Sequence, residues 1–156
     1  MKQSILSISA LVKNIKRHRK QRKKIVFTNG CFDLIHAGHI RLLNQAKRLG
    51  DILIVAINSD PSVRWLKGEG RPILPLKDRL EIIGNLKCVD YVIPLFEKTP
   101  YQLIQKIQPD VLIKGGDWKD RAIGSDIVQS RKGKIVSGLY VKGKSTSQII
   151  EKIKRS

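Results

Sequence analysis

The chain has 156 residues, 41% of them apolar and 28% charged, and its 31 basic against 13 acidic residues give a net charge of +18. Those proportions describe one globular domain with its own core and exclude a disordered chain, and no apolar run reaches the ~20 residues that a transmembrane helix needs. Cys31 and Cys88 stand far apart with no Cys-x-x-Cys pair, which excludes a disulfide framework and a cysteine-rich zinc site.

In chain order, Ile5, Ile8, Leu11, Val12 and Ile15 recur at helical spacing behind Ser7 or Ser9 as a cap. They predict an amphipathic helix and basic linker over residues 1–23, its apolar stripe docked on a domain of residues 24–156. The basic run at 13–20 follows the apolar stretch, whereas a signal peptide carries its charge first, so a cytoplasmic protein is expected. Strands are predicted at 25–28, 52–57, 91–93, 111–113 and 135–136. Helices are predicted at 37–49, ended by Gly50, at 76–86, and from a Thr99 cap with Pro100 in first position to 107. Two more are expected at 123–131 and from Ser145 onward, and residues 58–75 read as a polar loop containing glycine and proline. Short continuous apolar strands alternating with helices predict an α/β fold: a Rossmann-like, doubly wound, parallel five-stranded sheet. Ligands of such sheets bind beyond the carboxyl ends of the strands, which directs attention to the loops after the first, second and fourth.

The charge is unevenly spread. Residues 1–24 carry nine basic side chains and no acid, and residues 131–156 carry eight against Glu151, while the centre is nearly neutral. Basic ends suit a nucleic-acid partner, a polyanionic substrate or a solvated surface equally. Aromatic residues make up only 5% and no nucleic-acid motif is visible, so a nucleic-acid-binding module is the weaker alternative.

The loop after the first strand reads Asn29-Gly30-Cys31-Phe32-Asp33-Leu34-Ile35-His36-Ala37-Gly38-His39. His36 and His39 are three apart and share a helix face, and at a helix start they join unpaired N–H groups and the positive dipole end. Gly38 removes a side chain where a nucleotide approaches the backbone. Neither Gly-x-Gly-x-x-Gly nor a Gly-Lys-Ser/Thr loop is present, which argues against a dehydrogenase and a P-loop enzyme. No third ligand stands near the two histidines to complete a zinc site. The fourth strand runs into Lys114-Gly115-Gly116-Asp117-Trp118, a turn whose aspartate can accept a bond from a ribose or base. Ser145-Thr146-Ser147-Gln148 has capping-box spacing and offers hydroxyls to phosphates at a second helix start, beside Lys142 and Lys144. The basic stretch Arg64-Trp65-Leu66-Lys67-Gly68-Glu69-Gly70-Arg71-Pro72 suits closure over an acceptor phosphate, and suits a plain surface loop as well.

These segments resemble the cytidylyltransferase-like superfamily, whose signature is His-x-Gly-His after the first strand. The Leu66-Lys67-Gly68-Glu69 and Lys114-Gly115-Gly116-Asp117 elements are similar to its D-glycero-β-D-manno-heptose 1-phosphate adenylyltransferase branch. Ser147 stands where that branch usually has threonine, and Cys31 where the wider superfamily often has threonine. The branch often carries a fused sugar-kinase domain; the resemblance here implies the stand-alone form. It also implies transfer of AMP from ATP to the sugar 1-phosphate, with Mg²⁺ carried on the triphosphate and with a homodimer. His36 and His39 would then face the α-phosphate and the leaving pyrophosphate. Lys67, Arg71 and Arg79 would hold the acceptor phosphate. Asn29, Gly30, Cys31, Phe32, Gly38, Lys114, Gly116, Asp117, Ser145, Thr146 and Ser147 would hold the nucleotide. Asp33 would brace the loop instead of binding metal. A sibling cytidylyltransferase acting on glycerol 3-phosphate is the stronger alternative.

Overall fold

The computed structural model describes residues 5–116, 122–139 and 145–156. Its elements run α1 (Ile8–Lys20), β1 (Ile25–Gly30), α2 (Ala37–Arg48), β2 (Ile52–Asn58), α3 (Asp60–Lys67), α4 (Leu76–Gly84), β3 (Tyr91–Leu95), α5 (Tyr101–Ile107), β4 (Val111–Gly115), α6 (Ser125–Ser130), β5 (Lys134–Gly138) and α7 (Thr146–Arg155). The five strands are all parallel, in the order β3-β2-β1-β4-β5. This is the predicted doubly wound sheet, and its order reverses between β1 and β4.

Alternate side chains of each strand enter opposite cores, as the two-residue period of a strand demands. Ile25 and Phe27 of β1 and Ile54 and Ala56 of β2 face one layer, with Leu11 and Ile15 of α1, Leu103, Ile104 and Ile107 of α5, and Val128 of α6. Val26, Leu53, Val55 and Ile57 face the other, with Leu43 and Ala46 of α2 and Ile83 of α4. Leu11 and Ile15 of the expected stripe are thus core, while Ile5 precedes the helix, bridges to Val92 and is 44% exposed; Ser7 caps α1 by accepting from the Ala10 N–H. Part of the N-terminal charge has a structural use. Arg17, His18, Arg19 and Lys20 fill the last turn of α1, where cations meet the negative end of the dipole, and Arg19 donates to the carbonyls of Ile107 and Gln108 that end α5.

Three expectations are corrected. Residues 58–75 are not all loop: Ser59, Asp60 and Pro61 open the short helix α3, with Val63 buried beneath it. Glycines at 68 and 70, both at positive φ, stop it. Helix α5 starts one residue after the proline, and Pro100 occupies the cap position without a side-chain bond. The strands β1, β2, β3, β4 and β5 extend past their predicted ends: polar and glycine residues still pair at the tips of β1, β2, β4 and β5, and Pro94 and Leu95 of β3 pair with Ile57 and Asn58.

Candidate active site

A cavity of about 580 Å³ opens at the carboxyl ends of β1, β2 and β4, at the point where the strand order reverses. Asn29 and Gly30 reach it from β1, Asn58 from β2, and Lys114 and Gly115 from β4. Gly30 makes room for the Phe32 ring: a Cβ there would stand 3.1 Å from it, and the ring would have to give by a few tenths of an ångström. Phe32 itself takes positive φ, with its ring buried against that glycine.

His36 sits in extended conformation at the cap position of α2. Its Nδ1 accepts from the Gly38 N–H at 3.1 Å, while the His36 N–H points to Nδ1 of His39 at 3.4 Å. The two rings stack at 3.9 Å between centroids. With Nδ1 of each imidazole accepting, Nε2 carries the ring proton, so both side chains serve as N–H donors. Burial and the neighbouring His36 lower the pKa of His39 to about 4, which keeps it neutral around pH 7. Gly38 does not line the cavity; its N–H is engaged by the His36 cap.

A second helix start reaches the same cavity. Ser145 caps α7 by accepting from the Gln148 N–H, and Thr146 donates through Oγ1 to the Leu34 carbonyl at 3.2 Å. That bond ties the start of α7 to the loop that delivers His36. Ser145, Thr146 and Ser147 all line the cavity, with Ser147 exposed. Two helix N-termini therefore converge on one space, each adding a partial positive charge. Lys114 adds a full one: burial lowers its pKa to about 8, and an anion beside it would reverse that cost.

The loop after β1 is braced from below. Asp33, 1% exposed, accepts from Arg71 Nε at 2.8 Å and from the N–H groups of Ile73 and Leu74 at 2.9 Å. Burial pushes its carboxyl up, but the Leu74 and Ile73 N–H groups and Arg71 together outweigh this and hold it below the usual range. The bracing role expected for Asp33 is what the structure gives.

Arg79 corrects the reading that placed it on the acceptor phosphate. It is 0% exposed and lines no part of the cavity. Its Nε donates to the Leu74 carbonyl at 3.0 Å, one terminal nitrogen to the Cys31 carbonyl at 2.6 Å and the other to Asp60 at 2.6 Å. It joins three segments and has no donor aimed at a ligand. Arg71 and the exposed Lys67 do line the cavity, Lys67 from the last turn of α3. Cys31 lines it too, its thiol pushed up by burial against the opposing pull of Lys67 and Arg79. Gly116 follows β4 at positive φ, outside the lining. Asp117, Trp118, Lys142 and Lys144 lie outside the described residues.

Leu42, Asn58, Leu66, Lys98, Pro100 and Ile123 also line the cavity and were not singled out as site residues in the sequence. Asn58 was legible, standing at the tip of the second strand. Lys98 was not, because it follows β3, outside the loops after the first, second and fourth strands.

The cytidylyltransferase-like family model matches residues 27–152. The chain is 46% identical over 150 residues to the bifunctional protein HldE of Citrifermentans bemidjiense and 49% identical over 153 residues to that of Wolinella succinogenes. These matches take in 96% and 97% of this chain but 31% of each relative, so the chain spans about a third of their length. Among solved structures, the lipopolysaccharide core biosynthesis protein from Thermoplasma volcanium superposes with a TM-score of 0.67 at 31% identity, covering 77% of this chain and 99% of that one. Pantothenate synthetase from Thermus thermophilus, at 16% identity and a TM-score of 0.58 over 89% of this chain and 62% of its own, shares the fold. A family match across most of the chain, on a cavity built from two helix starts and a histidine pair, places it: the chain belongs to the cytidylyltransferase-like family and is a nucleotidyltransferase.

Proposed function

We propose that the protein transfers AMP from ATP to D-glycero-β-D-manno-heptose 1-phosphate, giving ADP-heptose and pyrophosphate for lipopolysaccharide or another surface glycan. The observation that carries this reading is the convergence of the α2 and α7 starts, the His36–His39 pair and Lys114 on one cavity, which Lys67 and Arg71 also line. The names of the HldE relatives and of the Thermoplasma structure support the heptose assignment.

In this reading an oxygen of the sugar phosphate attacks the α-phosphorus of ATP in line. A new phosphoanhydride bond forms as the bond to the β-phosphate oxygen breaks, and pyrophosphate leaves with that electron pair. Such a reaction asks for positioning and for donors aimed at developing charge, not for a covalent intermediate. The Nε2–H groups of His36 and His39 supply donors at the α-phosphate and the bridging oxygen. Ser145, Thr146 and Ser147 hold the terminal phosphates, the β1 tip from Asn29 to Phe32 and Lys114 hold the rest of the nucleotide, and we assign Asp117 to the nucleoside. Lys67 and Arg71 hold the acceptor. Asp33 is fully engaged by Arg71 and two N–H groups, and no cluster of three metal-ligating side chains occurs among the described residues. In the same proposal Mg²⁺ would come with the substrate, carried on the triphosphate, and would neutralise part of its charge. No helix among the described residues is long and apolar enough to cross a membrane. We carry the homodimer and the cytoplasmic location as parts of the same proposal.

Pyrophosphate release measured for ATP and CTP, each paired with heptose 1-phosphate and glycerol 3-phosphate, tests it. The expected outcome is turnover with ATP and heptose 1-phosphate alone. Turnover confined to CTP would replace this reading with the sibling cytidylyltransferase, which the family description keeps in view.

A further inference from the structure

We propose that Lys98 is a phosphate-binding residue for the acceptor, parked on the face of Trp65 until that substrate arrives. The inference rests on the nucleotidyl-transfer reading and adds a residue to it. Lys98 is exposed, lies in the loop after β3 and lines the cavity. Its Nζ stands 5.6 Å from the centroid of the Trp65 indole. Trp65 belongs to α3 and is 66% exposed, an unusual degree for tryptophan unless the ring has a surface task.

The charges on this wall differ in how they are used. Arg71 on the wall is paired with Asp33, and Arg79, buried outside the lining, with Asp60. Lys98 makes no ion pair among the described residues, and its contact is an aromatic face. A ring quadrupole positions an ammonium without neutralising it, so the full charge stays available to a phosphate. The chemistry needs such a charge. A sugar phosphate bearing two negative charges must approach an α-phosphate that is itself anionic, and the repulsion falls only where cations stand on the acceptor side. Lys67 and Lys98 come from the segments after β2 and β3, on one side of the strand reversal, while Lys114 and the Ser145 cap come from the other. Lys98 therefore belongs with the incoming phosphate and not with the nucleotide.

Lys98→Gln separates these roles by steady-state kinetics. We expect the KM for the acceptor to rise about 10- to 100-fold, the loss of one charge-assisted hydrogen bond, with the KM for ATP held within about twofold. Lys98→Arg should recover most of the loss. A rise in the KM for ATP, or no change in either, overturns the assignment. Because the wild-type protein is assayed first, absence of turnover there counts against the proposed reaction and not against Lys98. A second measurement then decides the residue on its own. Trp65 and Trp118 are the chain's two tryptophans, so in Trp118→Phe protein emission reports Trp65 alone. Inorganic phosphate at constant ionic strength should shift that emission saturably as Lys98 leaves the ring, and the shift should vanish with Lys98→Gln added. Flat emission in the Lys98 protein overturns the proposal.

Discussion

The two walls of the cavity are built differently. The loop from Gly30 to His39 is locked: Gly30 accepts the Phe32 ring, Asp33 is buried under three donors, His36 and His39 cap and stack, and Thr146 clamps Leu34. Across from it, the tip carrying Lys67, Gly68, Glu69 and Gly70 is exposed, and a Cβ at either glycine would meet nothing within 4 Å. Lys98 beside it rests on the face of Trp65 and makes no ion pair among the described residues. The contrast teaches where precision is needed. Donors aimed at a transition state must be fixed before the substrate arrives, whereas groups that admit a second substrate must leave room for entry.

Arg79 sits at the seam and offers the harshest way to break the contrast. It binds the Cys31 carbonyl of the locked loop, the Leu74 carbonyl below the open tip, and Asp60 at the start of α3. Arg79→Met would leave two carbonyls and a carboxylate without their donor. The expected cost in unfolding free energy is about 3–5 kcal/mol, read by urea denaturation. A folded variant of unchanged stability with a raised acceptor KM would instead return Arg79 to the substrate.

Lys114 sharpens the comparison from the nucleotide side, with a smaller effect. Its pKa of about 8 in the free protein lies below the usual 10.5, and a bound triphosphate favours the protonated form. Below pH 8 the free protein already holds the proton. As pH rises through 8, binding must take it up, so ATP affinity should fall by up to about tenfold per pH unit, measured by calorimetry. Lys114→Met should bind ATP more weakly and lose that slope. An unchanged slope would place the titration elsewhere.

Much of this was legible in the sequence, for a physical reason. A strand buried on both faces reads as an unbroken apolar run, and β2 does so from Ile52 to Ile57. The histidine pair and the Ser145 cap were visible because local spacing alone defines them. Arg79 was misjudged because charge suggests surface. Its spacing to Ile83, four residues on along the same buried face of α4, was the available signal. Helix α3 was hidden by its eight residues, its exposed Trp65 and Leu66, and the glycines behind it. Lys98 acquires meaning only from Trp65, thirty-three residues earlier, and such a pairing is invisible until the chain is folded.

In the proposed reaction His36 performs two separable tasks, Nδ1 capping α2 and Nε2 donating to phosphate. His36→Asn tests this most directly, since asparagine is a good cap but its amide N–H groups are too close to the backbone to stand where imidazole Nε2 donates. With thermal unfolding and turnover measured on the same protein, we expect stability close to wild type and kcat lowered by about 10²–10³, the loss seen when one preorganised donor is removed. Wild-type turnover in the stable variant would contradict the account, because the imidazole would then be a cap and nothing more.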